Sequence, residues 1–119
     1  MRILTARTIK AKSPLQTKMV FWFLFVGSRG ATNRIRIMST LRKMPSNRNQ
    51  LATELGIEYK NIQHHIKILE KNNLVKKIGK QYGLIYYVST LFENSEAVFD
   101  EIVNKLEKHA LFKSKEMRM

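Results

Sequence analysis

Two adjacent histidines, His64 and His65, stand in the stretch EYKNIQHHIKILEK among lysines and a ladder of isoleucine and leucine. Imidazoles can hold a metal, exchange protons near neutral pH or hydrogen-bond a polyanion, and the helix face each occupies decides among these. Adjacent helical positions diverge by about 100°, so the pair is poorly placed to share one metal ion as an i, i+4 pair would. Ile62, Ile66 and Leu69, spaced four and three apart, make the buried stripe of a helix expected from about Tyr59 to Asn72. Lys60, Gln63, His64, Lys67 and Lys71 fall together on another face. That surface of amide, imidazole and ammonium groups suits a polyanion.

Catalysis finds little support in the chain. The basic region holds only the carboxylates Glu54, Glu58 and Glu70, with no Ser, His and Asp arrangement and no glycine-rich phosphate loop. Cysteine is absent, which removes disulfides, thiolate metal sites and cysteine nucleophiles. The expectation is therefore a protein that is not an enzyme, with no cofactor, no metal site and no small-molecule ligand.

The elements that must position these residues belong to one domain of 119 residues, thin enough in buried area that a partner subunit would help. The formal charge is +13, unevenly spread. Met1 to Phe92 carries 17 basic and 3 acidic residues, a charge of +14, whereas Glu93 onward carries 5 and 6, a charge of −1. A field of one sign attracts phosphate backbones and anionic membranes alike. The most apolar run, MVFWFLFV, has only eight residues, far short of the roughly 20 needed to span a bilayer, and no small-residue cleavage site follows it. It reads as a buried helix in which Leu15, Met19, Trp22, Phe23 and Val26 recur at helical spacing, with a strand as the alternative. A cytoplasmic location follows as the expectation.

Residues 1–14 read as a basic flexible tail, or as an arm laid along DNA, bounded by Pro14. After GSRG, Thr32 or Asn33 is expected to cap a helix with the stripe Ile35, Met38 and Leu41. A short helix carries Leu51, Ala52 and Leu55, capped by Asn49 or by a box of Asn47 and Gln50, with Gly56 in the turn that follows. Beyond the His64 helix, Leu74 to Ile78 and Leu84 to Val88 flank a loop with Gly79 and Gly83, which predicts an antiparallel hairpin. A last helix, residues 90–112, is expected to open at Thr90 with Glu93, or at Asn94 or Ser95, and to bury Phe92, Phe99, Ile102, Val103 and Leu106. Residues 113–119 are expected to fray.

This order predicts a mainly α fold with a small β-hairpin: a winged helix-turn-helix over 15–89, with an added N-terminal apolar segment and a C-terminal helix for dimerisation. In such a layout the second helix of the pair enters a major groove about 12 Å wide.

The stretch NQLATELGIEYKNIQHHIKILEKNNLV makes the resemblance specific, with Leu51, Ala52, Leu55, Gly56, Ile57 and Ile62 at the small, turn and core positions of the helix-turn-helix pattern. HHIKILEKNNLV, with GSRGATNRIRIMSTL and PSNRNQLA, is similar to ArsR-like transcriptional regulators, particularly archaeal ones, over Gly27 to Ser89. The resemblance implies a dimeric DNA-binding repressor or activator. The chain departs from the metal-sensing branch, whose second helix carries cysteine ligands, because NRNQLATEL has none. Metal sensing by that route is excluded.

The expected partner is double-stranded DNA, bound by Arg48, Tyr59, Lys60, Asn61, Gln63, His64, Lys67, Lys76, Lys77, Lys80, Gln81 and Tyr82. Gln63 is the best base reader, since its amide can pair with adenine in two hydrogen bonds. Lys60 and Lys67 are assigned to phosphates, as are Arg48 and the wing lysines Lys76, Lys77 and Lys80. Tyr59 either packs into the turn or reaches DNA; His64 is read as a contact against the alternative of a solvated ring. His65, nearer the buried stripe, matches a histidine common in the resembled family and is read as structural. A homodimer is expected through Met19, Trp22, Phe23, Val26, Phe99, Ile102, Val103 and Leu106. The competing readings are a winged-helix module that binds other proteins in a transcription or membrane-associated complex, and an RNA-binding protein.

Overall fold

The computed structural model describes residues 14–118, with side chains from Pro14 to Leu111; of the expected N-terminal tail only Pro14 falls within this range. The apolar run forms helix α1, Pro14–Trp22, which passes into a π-helical turn, Phe23–Gly27. Then follow α2 (Ala31–Lys43), α3 (Arg48–Leu55), α4 (Tyr59–Lys71), strands β1 (Val75–Ile78) and β2 (Ile85–Val88), α5 (Thr90–Asn94) and α6 (Glu96–Arg118). Helices and a two-stranded antiparallel hairpin in this order are a winged helix-turn-helix, as the sequence predicts.

α1 is helical as expected, but its buried face is the opposite of the predicted one. Thr17, Phe21, Leu24 and Phe25 point inward, whereas Leu15, Met19, Trp22 and Phe23 are 53 to 68% exposed and Val26 is half-buried. The helix is apolar on both faces, so periodicity could not choose between them. The inward face meets α5 and α6 through aromatic rings: Phe21 and Phe25, Phe25 and Phe99, and Phe99 and Phe92 pack edge to face with centroids 5.1 to 5.5 Å apart. Phe21 and Phe92 stack at 6.0 Å and close the circuit. Each such pair is worth about 0.5 to 1.5 kcal/mol beyond its buried area. Phe99 and Ile102 are thus packed in the chain's own core, and Val103 and Leu106 are half-buried.

The caps differ from several expectations for identifiable reasons. α2 starts after Gly30, at φ +84°, without a side-chain cap, so neither Thr32 nor Asn33 is its N-cap. Its inward face is Ala31, Arg34, Ile37, Met38 and Leu41, with Ile35 half-buried. α3 is capped by the box of Asn47 and Gln50 instead of by Asn49: Asn47 Oδ1 accepts from the Gln50 N–H at 2.7 Å, and Gln50 Oε1 accepts from the Asn47 N–H at 2.8 Å. Gly56 adopts the left-handed conformation expected of it. Ser89, not Thr90, caps α5, because its hydroxyl both accepts from the Phe92 N–H at 3.1 Å and donates to the Asn73 carbonyl at 2.6 Å. The final helical segment breaks at Ser95 and then continues to Arg118, beyond the frayed end expected from residue 113.

The hairpin pairs Val75 with Val88 and Ile78 with Ile85. Ser46 exchanges two backbone hydrogen bonds with Tyr86, at 3.0 and 2.9 Å, so the segment leading into α3 is sewn to the wing. Arg36 of α2 donates to the Leu55 carbonyl at 2.5 Å, which satisfies an end of α3.

Two glycines share a positive φ but differ in surroundings, and this yields a test. A Cβ on Gly30 would lie 2.5 Å from His65 Cε1, whereas one on Gly56 would meet nothing within 4 Å. Gly56→Ala should cost about 1 kcal/mol for the left-handed backbone alone, and Gly30→Ala about 1 to 3 kcal/mol more. Urea denaturation of the two variants measures the difference, and equal losses would show that the Gly30 contact is slack.

Candidate nucleic-acid interface

α4 owes its position to an inward stripe of Ile62, His65, Ile66 and Leu69, all buried. On the outward side Lys60, Asn61, His64 and Lys67 are exposed and Gln63 is half-buried. None of these five side chains has a hydrogen-bond or ion-pair partner among the described residues. The face is therefore both cationic and chemically unspent.

The wing tip and the starts of α3 and α4 converge on a cleft of about 350 Å³ lined by Asn47, Arg48, Asn49, Tyr59, Gln81, Tyr82 and Leu84. Arg48 holds its guanidinium 5.6 Å from the centre of the Tyr59 ring and 6.0 Å from that of Tyr86. Tyr59 thus takes part in packing and still borders the cleft. Tyr82 is 97% exposed at the tip, beside the exposed Lys80 and Gln81. Gly79 turns the chain there at φ +107°, and a Cβ on it would collide with the Gly83 carbonyl oxygen.

Two wing lysines do not join this cleft. Lys77 is drawn toward the Glu70 carboxylate of α4, 3.5 Å away. Lys76, on the other face of the strand, borders a separate groove with Leu41, Arg42, Pro45, Tyr87 and Glu93. The hairpin alternation puts neighbouring side chains on opposite faces, so a run of two lysines could not both point to one site.

The sequence reading missed the residues behind α4. Arg34 is 2% exposed. Its Nε donates to the Leu24 carbonyl at 2.8 Å, Nη2 donates to the Arg29 carbonyl at 3.1 Å and to Ser28 Oγ, and Nη1 lies 3.3 Å from His65 Nδ1. A signal existed: Ala31, Arg34, Met38 and Leu41 are spaced three, four and three apart, so a cation occupies a core position of α2. Burial first, then the charges of Arg34 and His64, hold the His65 imidazole below its ordinary pKa. His65 is buried, on the side of the helix expected of it. The His64 and His65 rings lie 5.4 Å apart and tilted, and no group of three or more candidate metal ligands forms among the described residues.

Residues 32–77, from the second residue of α2 into β1, match the family model of bacterial regulatory proteins of the arsR family. No curated protein matches the chain in sequence. In structure the chain is similar to reduced HlyU from Vibrio cholerae, at TM-score 0.56 and 18% identity, over 76% of this chain and 88% of that one. It is similar to the transcriptional regulator HlyU from Vibrio vulnificus, at TM-score 0.56 and 15% identity, over 89% and 98%. An ArsR-like transcriptional regulator from Rhodococcus superposes at TM-score 0.53 and 17% identity, over 91% and 96%. Likeness at these identities establishes the shared fold.

The capping box sets the start of α3 and with it the approach of Arg48 to the cleft. Asn47→Ala should lower stability by about 1 kcal/mol, seen as a reduced urea midpoint at unchanged slope. An unchanged midpoint would mean that the box is redundant.

Proposed function

We propose that this protein is a sequence-specific double-stranded DNA-binding transcriptional regulator that works as a homodimer. α4 enters the major groove and the wing tip lies on the backbone. The observation that carries the reading is the outward face of α4: five polar or cationic side chains with no hydrogen-bond or ion-pair partner among the described residues, on a rod whose other side is fixed in the core. The arsR-family match over the same residues supports it. Gln63 is assigned to a base edge, Lys60 and Lys67 to phosphates, and Asn61 and His64 to either. Arg48, Tyr59, Lys80, Gln81 and Tyr82 form the cleft and tip that meet the flanking backbone. Lys76 and Lys77 add to the field without sharing the cleft.

The homodimer is supported by α1. A helix apolar on both sides is covered on both sides in most stable proteins, and here Leu15, Met19, Trp22 and Phe23 are open. Trp22 also borders a hollow with Val98, Glu101, Ile102 and Lys105 of α6, so the open face continues onto the nearly neutral C-terminal helix. A two-fold pair would set two α4 helices about 34 Å apart, the spacing of successive major-groove faces. The same apolar face would serve a protein-docking module. Among the described residues no helix is long and apolar enough to cross a membrane.

Gel-shift titration of selected duplexes at several salt concentrations tests the reading. A steep salt dependence with preference for one duplex is expected; no duplex binding at low salt would favour the docking module. Gln63→Ala should cost about 1 to 3 kcal/mol on the preferred site and little on random DNA. Lys67→Ala should weaken every duplex and reduce the salt slope by about one. Equal losses on all sequences for Gln63→Ala would end its role as a reader.

The subunit contact has its own measurement. Sedimentation equilibrium should return a dimer mass, and Trp22→Glu should return the monomer mass with its far-ultraviolet spectrum retained. A monomer at working concentration in the unaltered chain would remove the dimer from the proposal.

A further inference from the structure

Gly30, Arg34 and His65 form a buried cluster directly behind the outward face of α4, and the proposed DNA contact uses none of them. A guanidinium has donors and no acceptor, so the Nη1 to Nδ1 approach of 3.3 Å makes His65 Nδ1 the acceptor. The ring is then neutral, with its proton on Nε2. Arg34 pairs with no carboxylate among the described residues, and its Nε and Nη2 donors are taken by Leu24, Ser28 and Arg29. Burial lowers its pKa, but from a value so high that the group stays charged. The charged or titratable groups acting on His65 are Arg34 from α2 and His64 from its own helix, and both disfavour a further cation.

A proton on Nδ1 would turn this hydrogen bond into two N–H groups facing each other, with positive charge on both sides. The ring cannot relieve the clash by sliding toward α2, because it already fills the place of a Gly30 side chain. Either the imidazole leaves its seat or α4 moves with it, and α4 carries Gln63, His64 and Lys67.

We propose that the Arg34–His65 hydrogen bond is a proton-sensitive positioning link: when His65 takes up a proton the link opens, α4 is displaced and duplex binding weakens. The inference rests on the DNA-binding reading and gives that site a means of regulation. Arg34 and His65 act through α4 and touch no ligand.

The sign follows from linkage. His65 is depressed in the folded chain, so its contribution to stability is present above the unfolded imidazole value of 6.5 and is lost as pH falls through the folded value. His64 lies on the proposed DNA-facing surface itself and is removed from the comparison. The third histidine, His109, is exposed on α6 and common to all variants compared.

The experiment therefore uses a His64→Gln background. Duplex affinity at constant ionic strength, from about pH 8 to about pH 5.5, should fall on acidification, by up to about tenfold per pH unit for one excluded proton. Adding His65→Asn, whose amide oxygen replaces the Nδ1 acceptor and does not titrate, should flatten that profile. The Tm of the parent should also drop further on acidification than that of the double variant. Parallel affinity profiles in the two proteins would overturn the link while leaving DNA binding intact. Absence of duplex binding at every pH by the unaltered protein would instead overturn the DNA reading, and with it the binding half of the proposal. Nuclear magnetic resonance of the His65 ring covers failure of the double variant to fold. An Nε2-protonated ring titrating below the ordinary value supports the link, and an Nδ1-protonated ring or an ordinary titration overturns it.

Discussion

A guanidinium buried without a counter-ion among the described residues constrains this fold more than any other single group. Removing a charge from water costs several kcal/mol even after relaxation, and Arg34 offsets that cost with dipoles alone. Hydrogen bonds from a charged donor contribute about 1.5 to 3 kcal/mol each, so the bonds to Leu24, Ser28, Arg29 and His65 are of the size required. Their geometry explains the irregular backbone around them. The π-helical turn sets the Leu24 carbonyl toward Nε and leaves the Phe23 carbonyl to accept from Ser28 Oγ at 2.6 Å. Gly30 then carries the chain into α2 through a left-handed residue, where any side chain would meet the His65 ring.

A second arginine organises the other end of α2 by other means. Arg42 lies over Phe99 and Phe92, at 5.5 and 6.0 Å, and bonds Asp100 at 2.7 Å and Glu96 at 3.1 Å. The carboxylates raise its pKa above its ordinary value, the Asp100 hydrogen bond most of all. Both acids are partly exposed, so the pairs themselves add little stability; their larger effect is on where charge resides. Two of the acids beyond residue 92 are tied to α2 at the base of the ring cluster, where their charge is spent on Arg42.

The legible part of this structure was the part where polarity differs across an element. α4 declares its faces because Ile62, Ile66 and Leu69 stand on one side and lysines on the other, and the hairpin is announced by Gly79 and Gly83 between β-rich segments. The face of α1 was not legible, since Phe21 and Phe25 on one side and Trp22 and Phe23 on the other are chemically alike; only the position of α6 selects between them. Arg34 was missed because a core cation with dipolar partners from a turn leaves no acidic residue at helical spacing to reveal it. Ser89 lost to Thr90 in the sequence because the decisive partner is the Asn73 carbonyl, sixteen residues away. Within the candidate site the helix residues could be grouped from periodicity, while the cleft with Asn47, Asn49 and Leu84 depends on the Ser46 to Tyr86 pairing.

These connections make α4 a rod held on two sides by arginines in contrasting environments. Behind it, Arg34 grips His65 in the interior; in front, the half-buried Arg48 lies over Tyr59 of α4 and Tyr86 of β2. The front contact unites the helix pair with the wing, because Tyr86 is bonded through its backbone to Ser46, next to the Asn47 cap. An arginine already seated between two rings has little rotamer freedom left to lose when an anion arrives, which lowers the entropic cost of binding. Tightening at the front cannot by itself reposition α4, however, since its inward stripe and His65 fix the register. A change of state at the back is thus the more economical way to alter what the front presents, because the back contact includes an imidazole.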